Sequence, residues 1–158
     1  MRAFRAAPNS PPSTHFNLLT AARRVSSRAL RFETSRPTPS IVVVSVRGDV
    51  DALTADELAG YVLQARSPGH DVILDLRGVD FFGTAGFSVI EGINDRSGGP
   101  TRLAVVPSQA VARVLLLCTT KRALLVAVDV DSALTTLQGH PNERELAAAA
   151  PPRRLRGI

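Results

Sequence analysis

Between residues 41 and 137, short apolar runs alternate with stretches whose apolar positions recur every three to four residues. Residues 41–46 (Ile-Val-Val-Val-Ser-Val), 72–76 (Val-Ile-Leu-Asp-Leu), 103–106 and 124–128 are near-continuous and rich in branched side chains. That is the pattern of strands buried on both faces of a sheet. The intervening segments read as helices. Ala55, Leu58, Ala59, Val62 and Leu63 form one apolar stripe. Phe87, Val89, Ile90 and Ile93 form a second, and Val111, Val114, Leu115 and Cys118 a third.

Turn and cap residues set the expected boundaries. An earlier strand is expected over residues 28–34, where Leu30 and Phe32 alternate with polar residues, and 36–39 (Arg-Pro-Thr-Pro) reads as a connector because neither proline can donate a ladder hydrogen bond. Thr54 and Glu57 have the spacing of a capping box for the first helix, which residues 67–69 (Ser-Pro-Gly) end. A turn is expected at 77–80, between the strand at 72–76 and the helix that follows, with Thr84 as the cap of that helix. Residues 97–100 (Ser-Gly-Gly-Pro) break the chain again. Pro107 suits the first turn of the third helix, and Asp131 the cap of a short last one that Gly139 stops.

Strands and helices in alternation with short connections predict an α/β domain with a mainly parallel sheet and right-handed crossovers. The expected layout is residues 1–26 as a disordered basic tail, 27–138 as the domain, and 139–158 as a second, flexible tail. In residues 16–25, Phe16, Leu19, Ala22 and Val25 nevertheless have helical spacing.

The net charge of +5 divides unevenly. Residues 1–36 hold seven Arg and one Glu, residues 139–158 four Arg and two Glu, and residues 37–138 eight basic and eleven acidic side chains. The basicity therefore belongs to the ends. Without aromatic interleaving, since Tyr61 is the one tyrosine and there is no tryptophan, direct nucleic-acid binding is not expected. The single cysteine, Cys118, allows neither an internal disulfide nor a cysteine-rich metal site, and His15, His70 and His140 lack ligand spacing. Gly48, Gly83 and Gly86 form no phosphate-binding glycine loop, and the one lysine is Lys121. No nucleophile–base set is present in the pattern. The expectation is a non-enzyme without metal or cofactor, and no run of about 18 apolar residues predicts a membrane span.

Residues 72–93, V-I-L-D-L-R-G-V-D-F-F-G-T-A-G-F-S-V-I-E-G-I, are the centre of the chain. Gly83, Thr84, Ala85 and Gly86 carry small side chains at the mouth of a helix, which leaves the backbone open to a partner. D-L-R-G-V-D-F-F-G-T-A-G-F resembles the signature of STAS domains, and of bacterial anti-sigma factor antagonists in particular. In that family the strand end is followed by Asp-Ser-Ser-Gly-Leu opening a helix, and a partner kinase phosphorylates the second Ser. Here Gly83 stands at the motif Asp, Thr84 at the first Ser and Ala85 at the acceptor, while Gly86 and Phe87 keep the Gly-apolar pair. Gly48-Asp49-Val50-Asp51, a strand end leading to a helix, is also similar to the family. The resemblance covers about residues 28–138. It implies the STAS fold, with an N-terminal strand pair added to the parallel sheet, in a bacterial, cytoplasmic protein.

The resemblance further implies a regulator of transcription that binds an anti-sigma factor of the GHKL kinase type and releases a sigma factor. The alternative is a STAS subunit docking on a transporter ATPase. The expected partner surface is Gly48, Asp49, Asp51, Phe82, Gly83, Thr84, Ala85, Gly86 and Phe87, on a monomer or weak dimer. Asp49 and Asp51 also read, from the residues alone, as a loop acid and a turn-capping acid, or as a carboxylate pair for Mg²⁺. Thr84 is the phosphorylation candidate, one residue out of register with Ala85. A bulky side chain in place of Gly86 is expected to block a partner while leaving the sheet intact.

Overall fold

The computed structural model describes residues 28–96, 101–118 and 123–139. The helical spacing at 16–25, the break at 97–100, the first tail and residues 140–158 of the second lie outside the described residues. Among them, the order is β1 (Arg31–Thr38), β2 (Ile41–Val50), α1 (Ala55–Ala65), β3 (Asp71–Phe82), α2 (Thr84–Arg96), β4 (Leu103–Pro107), α3 (Gln109–Leu117), β5 (Leu125–Val126) and α4 (Val130–Gly139). The sheet order is β1-β2-β3-β4-β5. β1 runs antiparallel to β2, and the remaining neighbours are parallel. The α/β class, the mainly parallel sheet and the N-terminal strand pair are as the sequence implied.

Alternation along the strands explains the two-sided core. Val42, Val44 and Val46 of β2 and Val72, Leu74 and Leu76 of β3 face α1, α2 and α3, and meet Leu58, Val62, Phe87, Ile90, Ile93 and Val111. Ile41, Val43 and Ile73 point the other way with Ala104 and Val106, onto Ala133 and Leu137 of α4. With helices on both faces, β2, β3 and β4 must be apolar at successive positions, which is why these runs looked continuous. Among the described residues, no helix is long and apolar enough to cross a membrane.

Several boundaries differ from expectation. β1 starts later and runs through Pro37 to Thr38 rather than stopping at the 36–39 connector. It is an edge strand with a register shift between Ser35 and Thr38, and an edge tolerates a missing donor. The turn expected at 77–80 is strand. β3 accommodates two extra residues against β2, as shown by the pairs Ser45↔Asp75, Arg47↔Gly78, Gly48↔Val79 and Asp49↔Phe81. At the first irregularity Arg77 folds back on Asp75, donating from its backbone N, Nε and Nη2 to the carboxylate. Burial works against the charge on Asp75, but the Arg77 bonds outweigh it and hold the carboxyl below the usual carboxylate range.

The caps differ as well. Thr54 does not complete a capping box, since its side chain accepts from no helix N–H. Pro107 does not open α3 but closes β4, and Ser108 caps the helix, its Oγ accepting from the Val111 N–H. Asp129 rather than Asp131 caps α4, accepting from the Ser132 N–H at 2.7 Å. That bond holds the Asp129 carboxyl below its usual range. The last strand shrinks from 124–128 to two residues, and Leu63 lies exposed rather than on the buried stripe of α1.

Candidate partner-binding site

The crossovers β2→α1 and β3→α2 leave from the C-terminal edge of adjacent parallel strands. This edge is the usual place for a site in parallel sheets, because loops there converge without blocking one another. β2 does not end before Gly48, as expected, but continues to Val50. Gly48 has φ +115°, and a Cβ on it would lie 2.6 Å from the carbonyl oxygen of Ala29. Only glycine allows the preceding segment to cross so close.

Asp49 fixes that crossing. Its carboxylate accepts from the Arg28 N–H at 2.9 Å, and its own N–H donates to the Arg28 carbonyl at 3.1 Å. The side chain of Arg28 reaches on to Asp80 Oδ2 at 2.8 Å. Asp51 shapes the next turn: Oδ1 accepts from the N–H groups of Leu53 (2.8 Å) and Thr54 (3.1 Å). Thr54 Oγ1 lies 2.8 Å from the carbonyl of Asp49, to which it donates, and accepts from the N–H of Asp51. The hydroxyl thus serves the loop, which is why it does not cap α1. This turn leaves Leu53 facing outward, 68% exposed.

On β3, Val50 pairs with Phe82, and the Gly83 N–H donates to the Val50 carbonyl at 2.9 Å. α2 then starts at Thr84, and the carbonyl of Gly83 accepts from the Phe87 N–H. Gly83 therefore occupies the cap position expected of Thr84, which is the first helical residue and is exposed. Phe82 and Phe81, neighbours in a strand, point to opposite sides. Phe82 is 4% exposed in the core, Phe81 54% exposed. The Phe81 ring lies against Gly83, 3.6 Å from where a Cβ would sit.

The nine expected surface residues are thus brought to one edge but sorted by depth. Phe82, Gly86 and Phe87 are core. A Cβ on Gly86 would lie 2.5 Å from Phe82 Cε2 and 2.8 Å from Val50 Cγ1, so this glycine is a packing requirement and not an open approach. Gly48 and Asp49 are buried beneath residues 28–30. Asp51, Gly83 and Ala85 are half-buried, and Thr84 is exposed. Asp49 and Asp51 are engaged with the main chain, one with Arg28 and the other with its own turn.

Two side chains absent from the expected surface, Leu53 and Phe81, are the exposed large apolar groups at this edge. The parity of Phe81 and Phe82 carried the signal, since adjacent strand residues cannot both face one core.

The family model described as STAS domain matches residues 34–133. The crystal structure of an anti-sigma factor antagonist from Mycobacterium paratuberculosis is similar at 26% identity and a TM-score of 0.62, covering 70% of this chain and 95% of that one. The anti-sigma factor antagonist SpoIIAA in its unphosphorylated form is similar at 18% identity and a TM-score of 0.52, covering 71% of this chain and all of that one. The latter likeness is one of fold. No curated protein sequence matches the chain.

Proposed function

Because this chain belongs to the STAS domain family, we propose that it is an anti-sigma factor antagonist, a non-enzymatic regulator that binds an anti-sigma factor of the GHKL kinase type and so releases a sigma factor. The similarity to the Mycobacterium paratuberculosis antagonist supports this reading. The observation that carries it is the exposed Phe81 against Gly83, where the loop of Gly83, Thr84 and Ala85 opens α2, with Leu53 exposed in the neighbouring β2→α1 loop at the same end of the sheet. An exposed apolar side chain beside a loop of small ones is what a protein partner needs: an anchor to bury and a backbone it can approach.

The test is calorimetric titration of the full-length chain with each kinase-type anti-sigma factor of its bacterium, purified singly. One is expected to bind. Phe81→Asp and Leu53→Asp should each weaken binding by at least about 30-fold, the cost of losing an anchor worth ~2 kcal/mol. Both variants should keep the parent's melting temperature, since neither side chain is in the core. Undiminished binding by both would move the interface elsewhere. Binding to a transporter ATPase, with no anti-sigma factor bound, would favour the alternative STAS role.

Regulation follows from the same loop. Ala85 has no hydroxyl to phosphorylate, and we read the protein as constitutively in its binding form. Thr84 sits one residue earlier, about 100° around the helix. Thr84→Ala should change stability by no more than about 0.5 kcal/mol, since Thr84 is exposed and Gly83 holds the cap position. Incubation with the cognate kinase and ATP should leave the intact mass unchanged. A stoichiometric phosphate on Thr84, adding a charge of about −1.5 to −2 at the loop, would restore a switch with a shifted acceptor.

A further inference from the structure

Among the described residues, β1 has no strand on its outer side, so one side of its main chain is an open row of N–H and C=O groups. The opposite edge of the sheet, β5, is only two residues long. Pro37 and the register shift between Ser35 and Thr38 blunt the second half of β1. Residues 31–35 contain no proline and pair regularly with β2, so they can template a further strand.

The side chains of this half decide which strand fits. Arg31 pairs with Arg47 and Glu33 with Ser45, on the face that carries α4. Phe32 pairs with Val46, on the face that carries α1. Arg31 and Glu33 are exposed, and neither side chain makes an ion pair among the described residues. Arg31 stands across from a second guanidinium, an unfavourable cross-strand neighbour. An acid on its outer side would offset that. Phe32 is half-buried at the edge, its ring stacked on Tyr61 at a centroid distance of 4.2 Å.

A second copy of β1 supplies the acid. Two copies paired antiparallel about a two-fold axis perpendicular to the sheet keep their faces aligned, so the axis must fall on a residue. With the axis at Phe32, Arg31 of each copy stands opposite Glu33 of the other, and the two Phe32 rings become neighbours. An axis at Glu33 would set the two glutamates against each other. An axis at Thr34 would set Arg31 opposite Pro37, which has no N–H to donate. Of these registers, the first alone forms two opposite-charge pairs.

We propose that the protein self-associates through β1, antiparallel about Phe32, joining two five-stranded sheets into one. A single strand pair buries less than a standard interface, so a dissociation constant on the order of 100 µM is expected.

The test uses this chain alone, so its outcome is independent of which protein the loop at 83–85 binds. Sedimentation equilibrium of the full-length chain from about 10 µM to about 1 mM, a range that brackets such a constant, should show a monomer–dimer equilibrium. Arg31→Glu and Glu33→Arg should each weaken it at least about tenfold, because each reversal brings like charges together twice across the axis. An equimolar mixture of the two variants should associate about as well as the parent, since one brings only acids to the axis and the other only arginines. Amide spectra of the parent on dilution give a second readout that needs no variant, and the amides of residues 31–35 should shift most. A parent that stays monomeric over that range overturns the proposal. So does a dimer whose concentration-dependent shifts centre on another surface, or a mixture no more associated than either variant alone.

Discussion

Gly86→Gln is expected to destabilise the domain by about 3 kcal/mol, at the upper end of what overpacking a core costs. The reason is local. A Cβ at position 86 would enter the Phe82 ring at 2.5 Å and lie 2.8 Å from Val50 Cγ1, and both neighbours are themselves buried. Phe82 cannot swing outward without uncovering the core between α2 and the ends of β2 and β3. Urea unfolding should show a lower midpoint at unchanged slope. Gly83→Gln makes the useful contrast. A Cβ there meets the Phe81 ring at 3.6 Å, an ordinary contact with an exposed side chain. Gly83→Gln should keep the parent's stability and still obstruct the loop, so that lost binding in this variant reports on the surface. Parent-like stability of Gly86→Gln would mean that the Phe82 ring has another place to go.

The contrast between these two glycines also marks where the sequence stopped being informative. The strands at 41–46, 72–76 and 103–106 were legible because burial on both faces makes every position apolar, and few other structures ask for that. Phe87, Ile90 and Ile93 gave α2 by their spacing. Ends were harder. Pro37 argued for a connector, yet an edge strand has one side that needs no donor, and edge status is a property of the sheet rather than of the segment. The two extra residues of β3 broke the alternation after Leu76, and a broken alternation looks like a turn until the partner strand is known.

Small residues at a helix mouth are ambiguous in the same way. Gly83 has room for a Cβ beside the exposed Phe81 ring, Gly86 is small because Phe82 fills the space, and Gly48 is small because residue 29 crosses it. Only tertiary neighbours separate these cases. Thr54 and Thr84 likewise had the right identity for caps, but main-chain groups of the β2→α1 loop claimed one and Gly83 took the place of the other.

Asp71→Ala should cost about 3–5 kcal/mol, as removing one partner from a buried ion pair does. Asp71 opens β3 at the edge of the sheet opposite the candidate site, and its side chain is 5% exposed. Its carboxylate accepts from the Arg102 N–H at 2.7 Å and from Arg102 Nε and Nη2. Arg102 Nη2 also donates to the Leu137 carbonyl at 2.7 Å, so one guanidinium joins β3, the entry to β4 and the end of α4. Removing the carboxylate takes the acceptor from the Arg102 N–H and from its Nε and Nη2 bonds to β3, so the guanidinium that holds the end of α4 loses its anchor on the sheet. Hydrogen exchange should show the loss first in α4 and β4, with α1 and α2 protected until global unfolding. The variant thereby separates stability from binding. Its folded fraction keeps Leu53, Phe81 and the loop at 83–85 unaltered, so the affinity for an anti-sigma factor, corrected for that fraction, should equal the parent's. A large intrinsic loss of affinity in Asp71→Ala would show that the α4 side of the sheet contributes to the partner surface.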